Sequence, residues 1–311
     1  MTARVGPGEI SAAAARIAGR IRETPILPME ADAFGVAGLL TLKLECLQHS
    51  GSFKARGAFN SLLSVAIPAA GVITASGGNH GGAVAYAARA LGHKARIFVP
   101  TTSPRAKIDR LRGYGAEVTE IGAAYADAYE ASQAVRAETG AVEIHAYDQP
   151  ATVAGQGTVA RELEGQMDGI DTILVAVGGG GLIAGIASWF EGRVRVVGVE
   201  TEGTPTLTRA LAVGRPVDIE VGGLAADALG AKRIGEIAYA TARDFVDRVV
   251  LVSDDAVRAA QEALWTNVRV IAEPGGATAL AGLMAGAYRS EPGEGVVALV
   301  CGANTDPASV A

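Results

Sequence analysis

The chain is poor in cysteine: Cys46 and Cys301 are the only two in 311 residues. They are too few and too far apart for a disulfide framework or a zinc cluster with paired spacing, so a reducing, cytoplasmic setting is expected. Charged residues make up 19% and the formal net charge is -6, with no block of Lys or Arg. That excludes the electrostatic footprint of a nucleic-acid or anionic-membrane binder and leaves a small-molecule ligand. No secretory leader pattern opens the chain, and residues 9 to 22 read as an amphipathic helix. One uncharged run, Thr172 to Phe190, approaches membrane-spanning length, but four consecutive glycines interrupt its middle. Each glycine costs a helix about 1 kcal/mol relative to Ala, whereas a strand, a Gly loop and a helix in water use all four well.

What the chain has in quantity is small and aliphatic residues: 49% are hydrophobic and 41 are glycine. Its length predicts about two domains of roughly 150 residues each. Short β-branched runs alternate with Ala-rich segments of helical period: Gly71 to Ala75, Gly81 to Leu91, Ala95 to Val99 and Pro104 to Tyr114. The rhythm resumes at Thr172 to Val177, Leu182 to Trp189, Val194 to Val199 and Thr206 to Ala212, and ends at Gly295 to Val300. Such alternation predicts an α/β protein with parallel-type sheets under helices. The segment Val142 to Thr152 breaks the period and is expected to cross between lobes, with a second crossing near residue 50.

Three Gly-rich motifs sit where a strand ends, and a fourth motif holds a lysine. Gly178, Gly179, Gly180 and Gly181 follow the run ILVAV and precede LIAGIASWF, the pattern of an anion cradle at a helix N-terminus. The same stretch satisfies G-x-G-x-x-A through Gly179, Gly181 and Ala184, and Glu200 closes the next strand, so a dinucleotide site is a competing reading. Ser76-Gly77-Gly78-Asn79-His80 repeats the strand, turn and helix pattern with hydroxyl, amide and imidazole groups suited to a carboxylate. Ser76 or Asn79 as a simple helix cap is the plainer alternative. Cys301-Gly302-Ala303-Asn304 follows the last strand. Lys54, one of five lysines, stands in Ser-Gly-Ser-Phe-Lys-Ala-Arg-Gly. A lone lysine is usually a solvated cation, but one held among Gly and hydroxyl residues in a desolvated pocket becomes a nucleophilic amine.

Together these residues, with Thr24-Pro25, Gly155-Gln156-Gly157-Thr158 and Glu273-Pro274, resemble the fold type II pyridoxal-phosphate enzymes. Within them they resemble the serine/threonine dehydratase (threonine ammonia-lyase) and serine racemase family, nearly end to end. The resemblance implies a two-lobed, tryptophan synthase beta-like fold with two parallel-type sheets flanked by helices. Residues 1–50 and 150–311 would form a discontinuous large cofactor-binding domain and 51–149 the small domain. It implies pyridoxal 5'-phosphate held as a Schiff base on Lys54, with Phe53 against the ring and Asn79 on the ring hydroxyl. Gly178 to Gly181 and the amide of Leu182 would hold the phosphate, and Cys301 would face the ring nitrogen. Ser76, Gly77, Asn79 and His80 would bind the substrate carboxylate, and Glu273 is a further candidate.

The implied activity is α,β-elimination of a 3-hydroxy amino acid to a 2-oxo acid and ammonia, with Lys54 as the base. Serine racemases of the family place a serine where Gly77 stands, and Gly77 has no proton to give, so racemisation is expected to be weak. The family's divalent-cation site pairs a Glu with an Asp six residues on; Glu200 is present but position 206 is Thr, so no metal is assigned, with Glu202 as a substitute ligand for Mg²⁺ left open. No C-terminal regulatory domain and no feedback by isoleucine are expected. A homodimer acting on a small amino acid is expected by the resemblance, with no nucleic-acid or membrane partner. A β-replacement synthase of the same fold type and an NAD-dependent oxidoreductase are the competing functions.

Overall fold

The computed structural model describes residues 4 to 310. The chain runs α1 (Pro7–Ile17), β1 (Ile26–Pro28), β2 (Leu39–Lys43), α2 (Lys54–Leu63), β3 (Val72–Ala75), α3 (Asn79–Ala90), β4 (Ala95–Val99), α4 (Arg105–Gly113), β5 (Glu117–Glu120), α5 (Tyr125–Thr139) and β6 (Val142–Glu143). It continues with α6 (Pro150–Gln166), β7 (Thr172–Ala176), α7 (Gly181–Phe190), β8 (Arg195–Thr201), α8 (Thr206–Val213), α9 (Ala226–Leu229), α10 (Glu236–Phe245), β9 (Val246–Val252), α11 (Asp254–Val268), α12 (Pro274–Met284) and β10 (Gly295–Leu299).

The strands form two sheets, one of six in the order β1-β2-β10-β7-β8-β9 and one of four in the order β5-β4-β3-β6. The four-stranded sheet is parallel throughout. The six-stranded sheet is parallel except at its edge, where β1 pairs antiparallel with β2. Both sheets are of the parallel type expected, the larger with one antiparallel pair at its edge. A three-residue strand returning directly from β1 to β2 has no crossover helix to make it parallel. β7 and β10 are buried along their whole length, as strands covered by helices on both faces must be, and their sequences TILVA and GVVAL are apolar without alternation. No helix among the described residues is long and apolar enough to cross a membrane.

Polar charge is also buried. Arg56, in the first turn of α2, donates through Nε and Nη2 to both carboxylate oxygens of Glu45 at 2.8 and 2.7 Å, and through Nη2 to Glu162 on α6 at 2.8 Å. Lys43, at the end of β2, reaches the other oxygen of Glu162 at 2.6 Å and the carbonyl of Thr24 at 2.7 Å. Arg56, Lys43 and Glu45 are fully enclosed. Two cations and two anions thus cancel, and nearly every lone pair and N–H finds a partner. Because removal of one member strands the others, Arg56→Met should cost about 3–5 kcal/mol of folding stability. Urea denaturation of the cofactor-free protein checks this, and an unchanged midpoint would show that the cluster contributes no net stability.

Candidate active site

The C-terminal ends of β7 and β10 and the N-terminal ends of α2, α3 and α7 meet at one cavity. Its lining includes Phe53, Lys54, Asn79, Gly178 to Leu182, Glu273 and Cys301. It also includes Ala176, Ala228, Leu229 and Gly275, which carry no motif. Leu229 lies in α9, a four-residue helix too short to announce itself by periodicity.

Lys54 opens α2 and is placed by stitching to the last strand. Phe53 N–H donates to the Cys301 carbonyl at 3.2 Å, Cys46 N–H to the Val300 carbonyl at 2.8 Å, and Ser52 bridges Gly302. Lys54 Nζ lies 5.1 Å from the Phe53 ring centroid and donates to the carbonyl of Ala146 at 2.8 Å. Burial lowers its ammonium to about 8, against the opposing pull of Cys301 and Glu273. The amine is therefore within reach of its neutral, nucleophilic form near physiological pH.

The tetraglycine loop is built around absent side chains. Gly180 has φ of +89°, and a Cβ there would fall 2.4 Å from the Cβ of Ala238. Among the described residues, no main-chain or side-chain acceptor takes the N–H groups of Gly178, Gly179, Gly180, Gly181 or Leu182. Five unpaired donors at the N-terminus of α7 form a cradle for an anion with several oxygens.

Asn79 uses both ends of its amide. Its nitrogen donates to Glu273 Oε1 at 2.5 Å and its oxygen accepts from Asn304 at 2.6 Å. Burial raises the Glu273 carboxyl to about 7, opposed by the Asn79 bond. Cys301 donates from Sγ to the Gly275 carbonyl at 3.3 Å, and burial pushes its thiol well above the usual range.

Ser76 and Gly77 lie on the turn into α3, outside the residues that line the cavity. The His80 imidazole requires a correction to its expected role on a substrate carboxylate. It is buried, its Nε2 is hydrogen-bonded to the Ile144 carbonyl at 2.8 Å, and burial pushes its imidazolium down to about 3. What His80 offers an anion is its main-chain N–H in the first turn of α3. Glu200 is likewise committed: its oxygens accept from Leu207 N–H at 2.7 Å, Thr208 N–H at 2.9 Å and the Thr208 hydroxyl at 2.7 Å, which caps α8.

Residues 17–302 match the model of the family described as pyridoxal-phosphate dependent enzyme. The chain belongs to that family. Its cofactor is pyridoxal 5'-phosphate, and its fold is that of the fold type II members. It is 40% identical over 289 residues to the "L-threonine dehydratase biosynthetic IlvA" of Pasteurella multocida, over 90% of this chain and 56% of that protein. The chain spans about half the length of the first curated relatives it matches. Among solved structures it resembles maize serine racemase, with a TM-score of 0.93, 33% identity and coverage of 99% of this chain and 96% of that one. It also resembles the processed form of threonine deaminase isoform 2 from Solanum lycopersicum, with a TM-score of 0.90, 32% identity and coverage of 99% and 88%. The residues present fit the cofactor: an anion cradle of unpaired N–H groups faces a cavity that also holds a lysine with a lowered pKa.

The Lys54 shift gives a direct test. In the cofactor-free protein, amine labelling of Lys54 followed by mass spectrometry should rise with a midpoint near 8, and in the denatured chain near 10.4. The unfolded chain binds the extra proton between these values, so this group makes the cofactor-free fold more stable as pH rises from about 8 to about 10.4. Equal midpoints in folded and denatured protein would refute the shift.

Proposed function

We propose that the chain is a serine/threonine dehydratase (ammonia-lyase) that converts a 3-hydroxy amino acid to a 2-oxo acid and ammonia. The observation that carries this reading is the placement of Lys54, a partly buried amine with a lowered pKa, in one cavity with the unpaired N–H groups of the tetraglycine loop and with Asn79. Residues 51–149, which contain all four strands of the second sheet, would act as the small domain, with 1–50 and 150–311 as the cofactor domain. Likeness to a threonine dehydratase and a threonine deaminase supports the reaction class.

In this reading Gly178 to Gly181 and Leu182 would hold the cofactor's phosphate, Lys54 would hold it covalently, and Phe53 and Asn79 would hold its ring and ring hydroxyl. The Cys301 thiol, held neutral by burial, would be the group offered to the ring nitrogen and, carrying no charge, would leave that nitrogen largely unprotonated. When bound, the cofactor supplies an electron sink that acidifies the Cα–H bond. Lys54 Nζ would take the Cα proton on one face of the substrate, and the β-hydroxyl takes up one proton as it departs as water, so that the net loss is H from Cα and OH from Cβ. The Cβ–OH bond breaks, water leaves, and hydrolysis of the product enamine yields the 2-oxo acid and ammonia. Ser76, Asn79 and the N–H groups at the start of α3, that of His80 included, hold the substrate carboxylate. Glu273 steadies Asn79.

The likeness to maize serine racemase favours racemisation as a second reading. Gly77 weighs against it: the space where its side chain would point is bounded by Val99 at 3.5 Å and Ser103 at 3.7 Å, and the residue itself carries no hydroxyl. A homodimer in a reducing compartment is the proposed setting, and the two buried free thiols accord with it.

A panel of 3-hydroxy amino acids, scored for 2-oxobutanoate from threonine, pyruvate from serine and oxaloacetate from 3-hydroxyaspartate, tests the activity. Turnover of threonine, serine or 3-hydroxyaspartate should be seen, and Lys54→Ala should abolish both it and the visible absorbance band. D-serine formation, read with D-amino-acid oxidase, should run at least about a hundredfold slower than elimination, a gap of roughly 2.7 kcal/mol in barrier. Rapid L-to-D conversion would overturn the dehydratase assignment in favour of a racemase.

A further inference from the structure

The segment Ile144 to Asp148, which joins the two sheets, touches a different part of the site with nearly every residue. The Ile144 carbonyl accepts from His80, and the Ala146 carbonyl accepts from Lys54. The ring of Tyr147 lies against the tetraglycine loop so closely that a Cβ on Gly179 would stand 2.3 Å from its Cδ1. The Tyr147 main chain crowds Gly181 as well, its carbonyl oxygen 2.9 Å and its Cα 3.0 Å from a Cβ placed there. The Tyr147 hydroxyl donates to the carbonyl of Arg233 at 3.3 Å.

Asp148 completes the arrangement. Its two oxygens accept from the N–H groups of Glu236 at 3.1 Å and Ile237 at 3.0 Å, in the first turn of α10. Gly235, just before that helix, donates back to the carbonyl of Gly179 at 3.1 Å. His145 Nδ1 accepts from the N–H groups of Tyr147 at 3.3 Å and Asp148 at 3.0 Å, which fixes the turn between them. The contacts close a loop: Tyr147 to Gly179, Gly179 to Gly235, Gly235 to α10, α10 to Asp148.

We propose that Tyr147 and Asp148 are positioning residues for the cofactor's phosphate. Tyr147 is the wall that keeps four consecutive glycines in their N–H-convergent shape, and Asp148 fixes that wall through α10. The proposal rests on the reading of Gly178 to Leu182 as the phosphate cradle. Four glycines in sequence have more backbone freedom than any other tetrapeptide. A loop left free would have to be ordered when the anion binds, at a cost in affinity, whereas a loop ordered beforehand binds at full strength. The Asp148 carboxylate satisfies two unpaired N–H groups and faces the positive end of α10. Neither side chain reaches the reacting atoms, so their loss should weaken cofactor binding while leaving the chemical step intact.

The experiment resolves the holoenzyme to apo-protein and titrates wild type, Tyr147→Ala, Tyr147→Phe and Asp148→Asn with pyridoxal phosphate, followed by visible absorbance. Thermal denaturation checks that each variant folds, and kcat is measured at saturating cofactor. Tyr147→Ala should raise the cofactor Kd about tenfold or more with kcat within about threefold of wild type, because only preorganisation is lost. Tyr147→Phe keeps the ring and should stay within about twofold, and Asp148→Asn should fall between, at about three- to tenfold, because it loses the charge at the helix end. Unchanged Kd in Tyr147→Ala, or a kcat that falls as far as affinity does, overturns the proposal. Should Tyr147→Ala fail to fold, an unchanged Kd in Asp148→Asn overturns it equally. A wild-type protein that takes up no cofactor would instead defeat the cradle reading on which the proposal stands.

Discussion

The site depends on the paired grip of Arg56 on Glu45 and Glu162. Arg56 lies two residues from Lys54 on the same helix, and its partners come from the segment after β2 and from α6. A bidentate guanidinium–carboxylate contact fixes orientation as well as distance. A helix held that way at its first turn presents its leading side chain along one line, with little room to tilt. Enclosing the pair in protein makes the arrangement close to all-or-none, since any looser geometry would leave a desolvated charge without compensation.

Inside the cavity the electrostatics run the opposite way. Burial pushes Lys54 down, Glu273 up and the Cys301 thiol up, so each group moves toward its uncharged form. The unpaired N–H groups at the head of α7 are the standing source of positive potential there. The interior therefore disfavours lone side-chain charges while keeping a prepared place for an anion, and it does so with backbone geometry rather than with a basic residue.

Much of this was legible in the sequence because it is written in local pattern. The alternation of β3, α3, β4 and α4, and later of β7, α7, β8 and α8, follows from apolar runs punctuated by glycine. The cradle and the lysine sit in short motifs. Strand β9 did not announce itself: in VDRVVLV an Asp and an Arg interrupt the apolar run, and the strand lies at an edge where exposure permits them. Lys43 reads as a solvated cation until β2 is placed beside α6, and the pairing partner lies 119 residues away. Tyr147 and Asp148 read only as a crossing, since what they press against comes from elements distant in the chain. The His80 imidazole is easily misassigned because sequence gives the residue's place on the turn but not the direction of its ring.

The place of β10 in the six-stranded sheet bears on how the molecule is made. It lies between β2 and β7, so the strand latest in sequence among the described residues occupies the interior of the sheet. As the polypeptide leaves the ribosome, β2 and β7 wait with facing edges unmatched through more than a hundred residues of further synthesis. Unmatched edges of apolar strands invite pairing with other chains, and non-local strand insertion is slow. The peptide bridge between Ser52 and Gly302 belongs to the same late event. The lysine and the thiol therefore meet only when the last strand is drawn in, and a ribosome stalled before residue 295 leaves a chain with a cradle but no finished pocket.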